Sequence, residues 1–344
     1  MKPITIVGGG LAGLTLGIGL RRKNIPVTIW EAGHYPRHKV CGEFISGRGL
    51  DILESLQLYD LFRSAGSVFA ETAAFISERF EGIARGLPSP ALCLSRFVMD
   101  ALLAEEFRRL GGELKVNSRH DDKNPKPGLV RAAGRRSKAV ERGWRWFGLK
   151  AHANNVTLNA DLEMHVSRDG YVGLCRLPGG AVNVCGLFRR RARTGEPQAA
   201  WQEILRGPAD SILRRRLARA QFDETTFCSV AGLSLQPVRA MRRPECCVGD
   251  AITMIPPVTG NGMSMAFESA ALALGPLLEY STGAMTWPMA QRAVAQACDT
   301  SFARRLMWAK WLQSVLFHPA FQTNLGTFAL RSAWLWRMLF SRTR

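Results

Sequence analysis

The chain is 344 residues long, 47% apolar and 22% charged, which excludes a disordered chain or a small disulfide scaffold and leaves ample material for a buried core. It carries 46 Lys and Arg against 28 Asp and Glu, a formal charge of +18, and only nine of the cations are lysine. Such an excess favours anionic partners (a phosphate-rich cofactor, nucleic acid or an acidic membrane surface) or forms a solvated basic face.

Residues 3–33 read as one βαβ unit: an apolar strand, Ile4–Val7, runs into Gly8-Gly9-Gly10, a helix follows over 11–22, and a second strand, Val27–Trp30, ends at Glu31. A loop over 34–49 leads to a helix near 50–61, and Phe97, Leu102, Leu103 and Phe107 give the apolar face of a helix over 95–110. From 156 to 166 apolar residues (Val156, Leu158, Ala160, Leu162, Met164, Val166) alternate with polar ones, which predicts a single half-buried strand. Asp169-Gly170 and Gly179-Gly180 are hairpin turns around strands over 171–177 and 181–188. A strand near 246–249, a Pro/Gly loop and a helix over 263–280 come next, and 286–344 reads as helical with Pro288 and Pro319 as punctuation.

The eight cysteines form no Cys-x-x-Cys pair and the six histidines show no ligand spacing, so no metal site is expected. The chain opens directly on a strand, so the thiols are expected to be reduced in a cytoplasmic protein. The longest apolar stretch, 263–278, is interrupted by Glu268 and is too short to span a bilayer.

Gly8-x-Gly10-x-x-Gly13 lies between a strand and a helix, where the pattern has physical meaning. The first glycine permits the tight turn, the second a close approach of pyrophosphate, and the third close helix packing. The helix N-terminus, with Leu11 and Ala12 in its first turn, offers unpaired N–H groups to phosphate. Glu31, placed at the end of the second strand, is suited to a ribose. This motif indicates a dinucleotide and leaves FAD and NAD open.

A second motif narrows the choice. Gly249-Asp250 follows a short apolar strand, and Ile255-Pro256-Pro257-x-x-Gly260-Asn261-Gly262-Met263 opens a helix. Together with the first motif, this resembles the flavoprotein monooxygenase (aromatic hydroxylase) and geranylgeranyl reductase superfamily. The resemblance implies that Asp250 binds the ribityl chain of FAD and that Pro257, Gly260, Asn261, Gly262 and Met263 bring a helix N-terminus to the flavin pyrimidine edge. Negative charge on reduced flavin suits that dipole. Ser95-Arg96, followed by Asp100, looks like the family's Arg near the diphosphate, and Lys39-Val40-Cys41-Gly42-Glu43 resembles the loop beside the isoalloxazine. There Cys41 either donates a proton or packs over the ring. Where the family has an Asp-Gly pair, this chain has Ala133-Gly134-Arg135. The resemblance covers roughly 1–50, 90–145, 165–190 and 245–280.

The expected architecture is mixed α/β. A discontinuous FAD-binding, Rossmann-like domain (1–50, 91–150, 228–285) carries an inserted antiparallel substrate domain (51–90, 151–227) and a helical C-terminal region (286–344). The resemblance implies an FAD-dependent oxidoreductase, foremost a monooxygenase of a lipophilic aromatic or polyketide-like compound from secondary metabolism. The alternative is a geranylgeranyl-reductase-like enzyme acting on isoprenoid double bonds. The Trp-rich segment expected of a halogenase is absent. With no second Gly-x-Gly-x-x-Gly, NAD(P)H is expected only as a transient reductant. The clusters Arg189-Arg190-Arg191 and Arg214-Arg215-Arg216 come with no nucleic-acid motif, so no nucleic acid is expected. The Trp- and Arg-rich segment 304–344 suggests peripheral membrane contact or a helix that closes the substrate pocket.

Overall fold

The computed structural model describes residues 1–121, 124–135, 137, 140–141, 143–191 and 199–318. In chain order the first half contains β1 (Ile4–Val7), α1 (Leu11–Arg21), β2 (Val27–Trp30), β3 (Phe44–Ile45), α2 (Arg48–Ser55), α3 (Tyr59–Ser64), β4 (Val68–Ser77), β5 (Arg85–Cys93), α4 (Arg96–Arg109), β6 (Glu113–Lys115) and β7 (Leu129–Arg131). The second half contains β8 (Trp144–Asn154), β9 (Leu162–Ser167), β10 (Gly170–Arg176), β11 (Val182–Arg191), α5 (Trp201–Arg206), α6 (Ile212–Arg216), β12 (Gln221–Ala231), β13 (Cys246–Cys247), α7 (Gly262–Thr282) and α8 (Trp287–Leu316). The helix expected near 50–61 is two helices, because Leu56 and Gln57 leave helical geometry, Gln57 with a φ of +51°.

Five parallel strands form one sheet in the order β13-β7-β1-β2-β6. Its short apolar strands are buried beneath α1, α4, α7 and α8, and one large core joins these elements. Helix α1 is buried along ten consecutive residues, Leu11 to Leu20, and so lies inside the molecule rather than on its surface. Ser95 caps α4 by accepting a hydrogen bond from the Val98 N–H at 3.3 Å, and Gly283, in the left-handed conformation, ends α7.

The second sheet has eight strands, β12-β8-β11-β10-β9-β4-β5-β3, all paired antiparallel except β4 with β9. The meander of β9, β10 and β11 turns at the two Gly-containing hairpins that the sequence marks. One face carries Leu149, Ala151, Ala153, Val172, Leu174, Val182 and Val184 onto α5 and α6. The opposite face turns toward the parallel-sheet layer.

The alternation over 156–166 is only partly a strand. Pairing begins at Leu162, and 156–161 is irregular chain. The polar set does not face water: Glu163 and His165 are buried, as is Leu162, while Met164 and Val166 are half-buried. Glu163 is satisfied there by His165 at 2.8 Å and Arg216 at 3.1 Å, so paired charge offsets the usual rule that the polar set faces water.

Candidate active site

The turn between β1 and α1 is set by close backbone approach. Gly8 has a φ of +110°, and a Cβ on it would stand 2.4 Å from the Ala132 carbonyl oxygen just after β7. A Cβ on Gly13 would lie 2.0 Å from the Gly8 carbonyl oxygen. Gly10 differs, because a Cβ there would meet nothing within 4 Å. Helix α1 starts at this open position without a side-chain cap, so its first N–H groups are left for a ligand.

Glu31 is buried beside that turn. Its carboxylate accepts hydrogen bonds from the Gly9 and Gly33 N–H groups, each at 2.8 Å, and pairs with Arg37 at 2.8 Å. The Tyr35 hydroxyl donates to the Gly9 carbonyl and occupies the space a Gly9 side chain would need.

Helix α7 repeats the arrangement of α1. It starts at Gly262 after Asn261, again without a side-chain cap, and a Cβ on Gly262 would meet nothing within 4 Å. Pro257 to Thr259 form a short turn that Gly260 ends in the left-handed conformation, pressed against the Phe44 ring. Met263 is buried in the first turn. Asp250, after β13, has its carboxyl pushed up to about 6 by burial, with Arg135 and Arg96 opposing the shift. Arg135 belongs to the segment that replaces the family's Asp-Gly pair, so a cation stands toward Asp250 there.

The 39–43 loop joins the two layers. Arg96 reaches Asp100 one turn along α4 at 2.7 and 2.9 Å, and Lys39 reaches the same carboxylate at 2.6 Å. Burial alone would raise the Asp100 carboxyl, but Arg96 and Lys39 outweigh it and hold it below the ordinary value. Arg96, which the resemblance places near the diphosphate, is thus paired with Asp100 within the protein. The positive charge of Arg96 favours the Cys41 thiolate, but burial outweighs it and pushes the thiol up. Cys41 is therefore protonated at neutral pH, suited to donating a proton and unsuited to thiolate attack. The Asn183 side-chain amide of β11 donates to the Cys41 carbonyl at 2.9 Å, while Gly42 only touches the Phe44 ring.

Behind this loop lies a cluster that sequence reading does not show. Glu43 is fully buried and accepts from the Arg96 N–H at 2.9 Å, from His152 Nε2 at 2.7 Å and from Lys150 Nζ at 3.3 Å. Lys150 Nζ also lies 3.1 Å from His38 Nδ1, and His38 stacks on Phe97. Burial would raise the Glu43 carboxyl, but His152 and Lys150 hold it below the ordinary range. Burial lowers His38 to about 4, and Lys150 and His152 add to the effect. The donor atoms of His38, Glu43 and His152 lie within 4.8 Å of one another, a spacing the histidine positions in the sequence do not reveal. Lys150 Nζ reaches two of them, His38 and Glu43.

The signal for Lys150 and His152 was available. Phe147, Leu149, Ala151 and Ala153 pack onto α5 and α6, so strict alternation sends Lys150 and His152 to the other face, toward the site. Glycines 8, 10, 13, 260 and 262 and Glu31, Asp250 and Cys41 gather around the two helix N-termini and the 39–43 loop. The residues fit FAD on two structural grounds: glycine-led, uncapped N-termini facing open space, and a carboxyl whose local cations are Arg135 and Arg96.

Known proteins agree with this architecture. Residues 6–40 match the NAD(P)-binding Rossmann-like domain family. Conditioned medium factor receptor 1 of Dictyostelium discoideum is 27% identical over 127 residues, 33% of this chain, and the matched part spans 25% of that relative's length. A probable FAD-dependent monooxygenase of Pseudomonas aeruginosa, PqsL, superposes with a TM-score of 0.70 at 16% identity, covering 95% of this chain and 99% of its own. The flavin-dependent brominase Bmp2 gives 0.71 at 17%, covering 99% and 92%. A variant of the halogenase PltM, solved in complex with FAD, gives 0.70 at 16%, covering 98% and 82%. The chain has the fold of the flavin-dependent monooxygenases and halogenases.

Proposed function

We propose that this chain, which has the flavoprotein-monooxygenase fold, is an FAD-dependent oxidoreductase and, within that class, a monooxygenase of a lipophilic aromatic or polyketide-like small molecule. One observation carries the reading: α1 and α7 both open at a glycine, without side-chain caps, where an added Cβ would meet no atom of the described residues within 4 Å. The N-terminus of α1 with Glu31 suits the ADP half of FAD, and Asp250 with the N-terminus of α7 suits the ribityl and flavin half. Bound FAD would supply the hydride-accepting and oxygen-activating chemistry that no side chain provides. NAD(P)H is the proposed reductant.

The chain's own groups position and shield. The N-terminus of α7 stabilises negative charge brought to it, and the Lys150–Glu43–His152 cluster holds the 39–43 loop against the second sheet. Tyr171, Leu187, Leu235, Val258 and Leu312 pack into one buried apolar cluster between that sheet, the loop before α7 and α8, and these apolar surroundings support the choice of a lipophilic substrate.

Reduction of an isoprenoid-type double bond is the second reading, and Cys41 favours it. Such a reduction needs a proton from a neutral acid, and the Cys41 thiol is neutral. The fold does not separate either reading from halogenation, since a brominase and a halogenase share it. The test is the product formed with NADPH and oxygen from candidate lipophilic phenols and prenyl compounds. Gain of one oxygen atom supports the monooxygenase, and gain of two hydrogens supports the reductase. A halide-dependent product would replace both.

A further inference from the structure

We propose that the C-terminal third of α8 and the adjoining ends of β8 and β11 form a docking patch for an anionic lipid bilayer. Helix α8 is apolar on two faces near its end. Inward, Leu306, Ala309, Leu312 and Leu316 are buried. Outward, Arg304, Met307, Trp311 and Val315 recur at spacings of three and four, and Met307 remains 62% exposed and Trp311 46% exposed. An outward stripe of Met and Trp on a helix already packed on its own domain has no use in the fold's core.

The neighbouring sheet edge has the same chemistry. Phe317, at the end of α8, meets the Trp146 ring at 5.3 Å and the Arg189 guanidinium at 4.5 Å. Arg189 and Arg191 also cover the Trp144 ring, at 4.5 and 4.2 Å, on the sheet face that meets Phe317, while Arg145 and Arg190 alternate to the opposite face. Aromatic rings and arginines from residues 144–146, 189–191 and 304–318 are thus gathered at one end of the molecule.

Charge selects the occupant. Residues 300–318 contain no Asp or Glu, three Lys or Arg and two tryptophans. Trp and Arg together suit the headgroup boundary, where rings sit at the interface and guanidinium groups meet anionic lipid. A nucleic acid would satisfy the arginines but leave Met307 and Trp311 in water. No helix among the described residues is long and apolar enough to cross a membrane. The expected region 304–344 is described only to residue 318, and the patch rests on that part. It is independent of what the cofactor site binds.

The experiment is flotation of the full chain with phosphatidylcholine vesicles, with and without phosphatidylglycerol, across a salt series. The protein should float with the anionic vesicles and stay behind with the neutral ones. Arg191→Gln with Arg304→Gln should weaken binding by about 25-fold, near fivefold per cation removed. Met307→Ser with Trp311→Ser should weaken it by about tenfold at unchanged melting temperature. Met289→Ser, exposed at the far end of α8, should change nothing. No flotation, or binding indifferent to the Met307 and Trp311 changes, overturns the proposal. So would tighter binding to single-stranded RNA than to vesicles, or a concentration-dependent dimer that Trp311→Ser abolishes.

Discussion

Asp250 carries a carboxyl that the protein alone holds near 6, above its ordinary 3.8. Between those values the folded chain binds a proton that the unfolded chain has released, so this contribution to stability is present at low pH and lost as pH rises through about 6. FAD hydroxyls donating to the carboxylate favour the ionised form. FAD affinity should therefore rise with pH through about 6 and level off above it. Asp250→Asn should flatten that profile and weaken FAD binding at neutral pH by about 1.5–3 kcal/mol, the loss of a charge-assisted hydrogen bond, as read by flavin fluorescence quenching. Cys41 has a different test. Cys41→Ser should retain FAD and its visible spectrum but lose turnover if the thiol donates a proton; unchanged turnover assigns Cys41 to packing. Gly8 and Gly13 were legible in the sequence because the turn between β1 and α1 leaves no room there for a side chain. Tyr35 and Arg37 were not, since their roles depend on how the following loop folds back on Gly9 and Glu31.

At the scale of elements, the 39–43 loop is fixed from two sides, by α4 through Arg96 and Asp100 and by β8 through Lys150 and His152. Lys150 is fully buried, and Lys150→Met would leave Glu43 with one fewer cation in a dry site. Removal of one partner from such a cluster should cost about 3–5 kcal/mol of stability, seen as a lower denaturant midpoint, and Glu43→Gln in the same chain should recover part of it. His38 adds a pH dependence. Its value in the fold, about 4, lies below the ordinary 6.5. The unfolded chain therefore protonates first, and stability present above about 6.5 is lost as pH falls toward about 4. His38→Phe, which can still stack on Phe97, should shorten that acid limb of a melting-temperature profile. Elements defined by their ends, such as α4 capped by Ser95 and the hairpins at Gly170 and Gly180, were readable in the chain. The strand at 162 was misread because alternation reports a face without saying which one is buried. His165, two residues along the strand, and Arg216, 53 residues away, bury Glu163 by pairing with it, and the second partner cannot be read locally.

At the scale of the molecule, the parallel sheet is assembled from pieces between Ile4 and Cys247, and the second sheet is threaded through it from Phe44 to Ala231. The α/β opening, the meander and the late return to α/β were visible as changes of hydrophobic period. The eight-strand extent was not, since β4 and β5 join the meander only through long-range pairing. This threading brings Cys41, Lys150, Asn183 and Asp250 to one region from four distant segments. The central claim is that this region, between two uncapped helix N-termini, holds FAD. The most direct measurement is the visible absorption spectrum of the purified full chain, followed by reconstitution with FAD and release of the flavin by heat. The account predicts a flavin spectrum, close to one FAD released per chain, and its loss in Gly10→Val, whose side chain would enter the open space at α1. A colourless protein that neither quenches nor retains added FAD, or one that takes up only NAD, would contradict it.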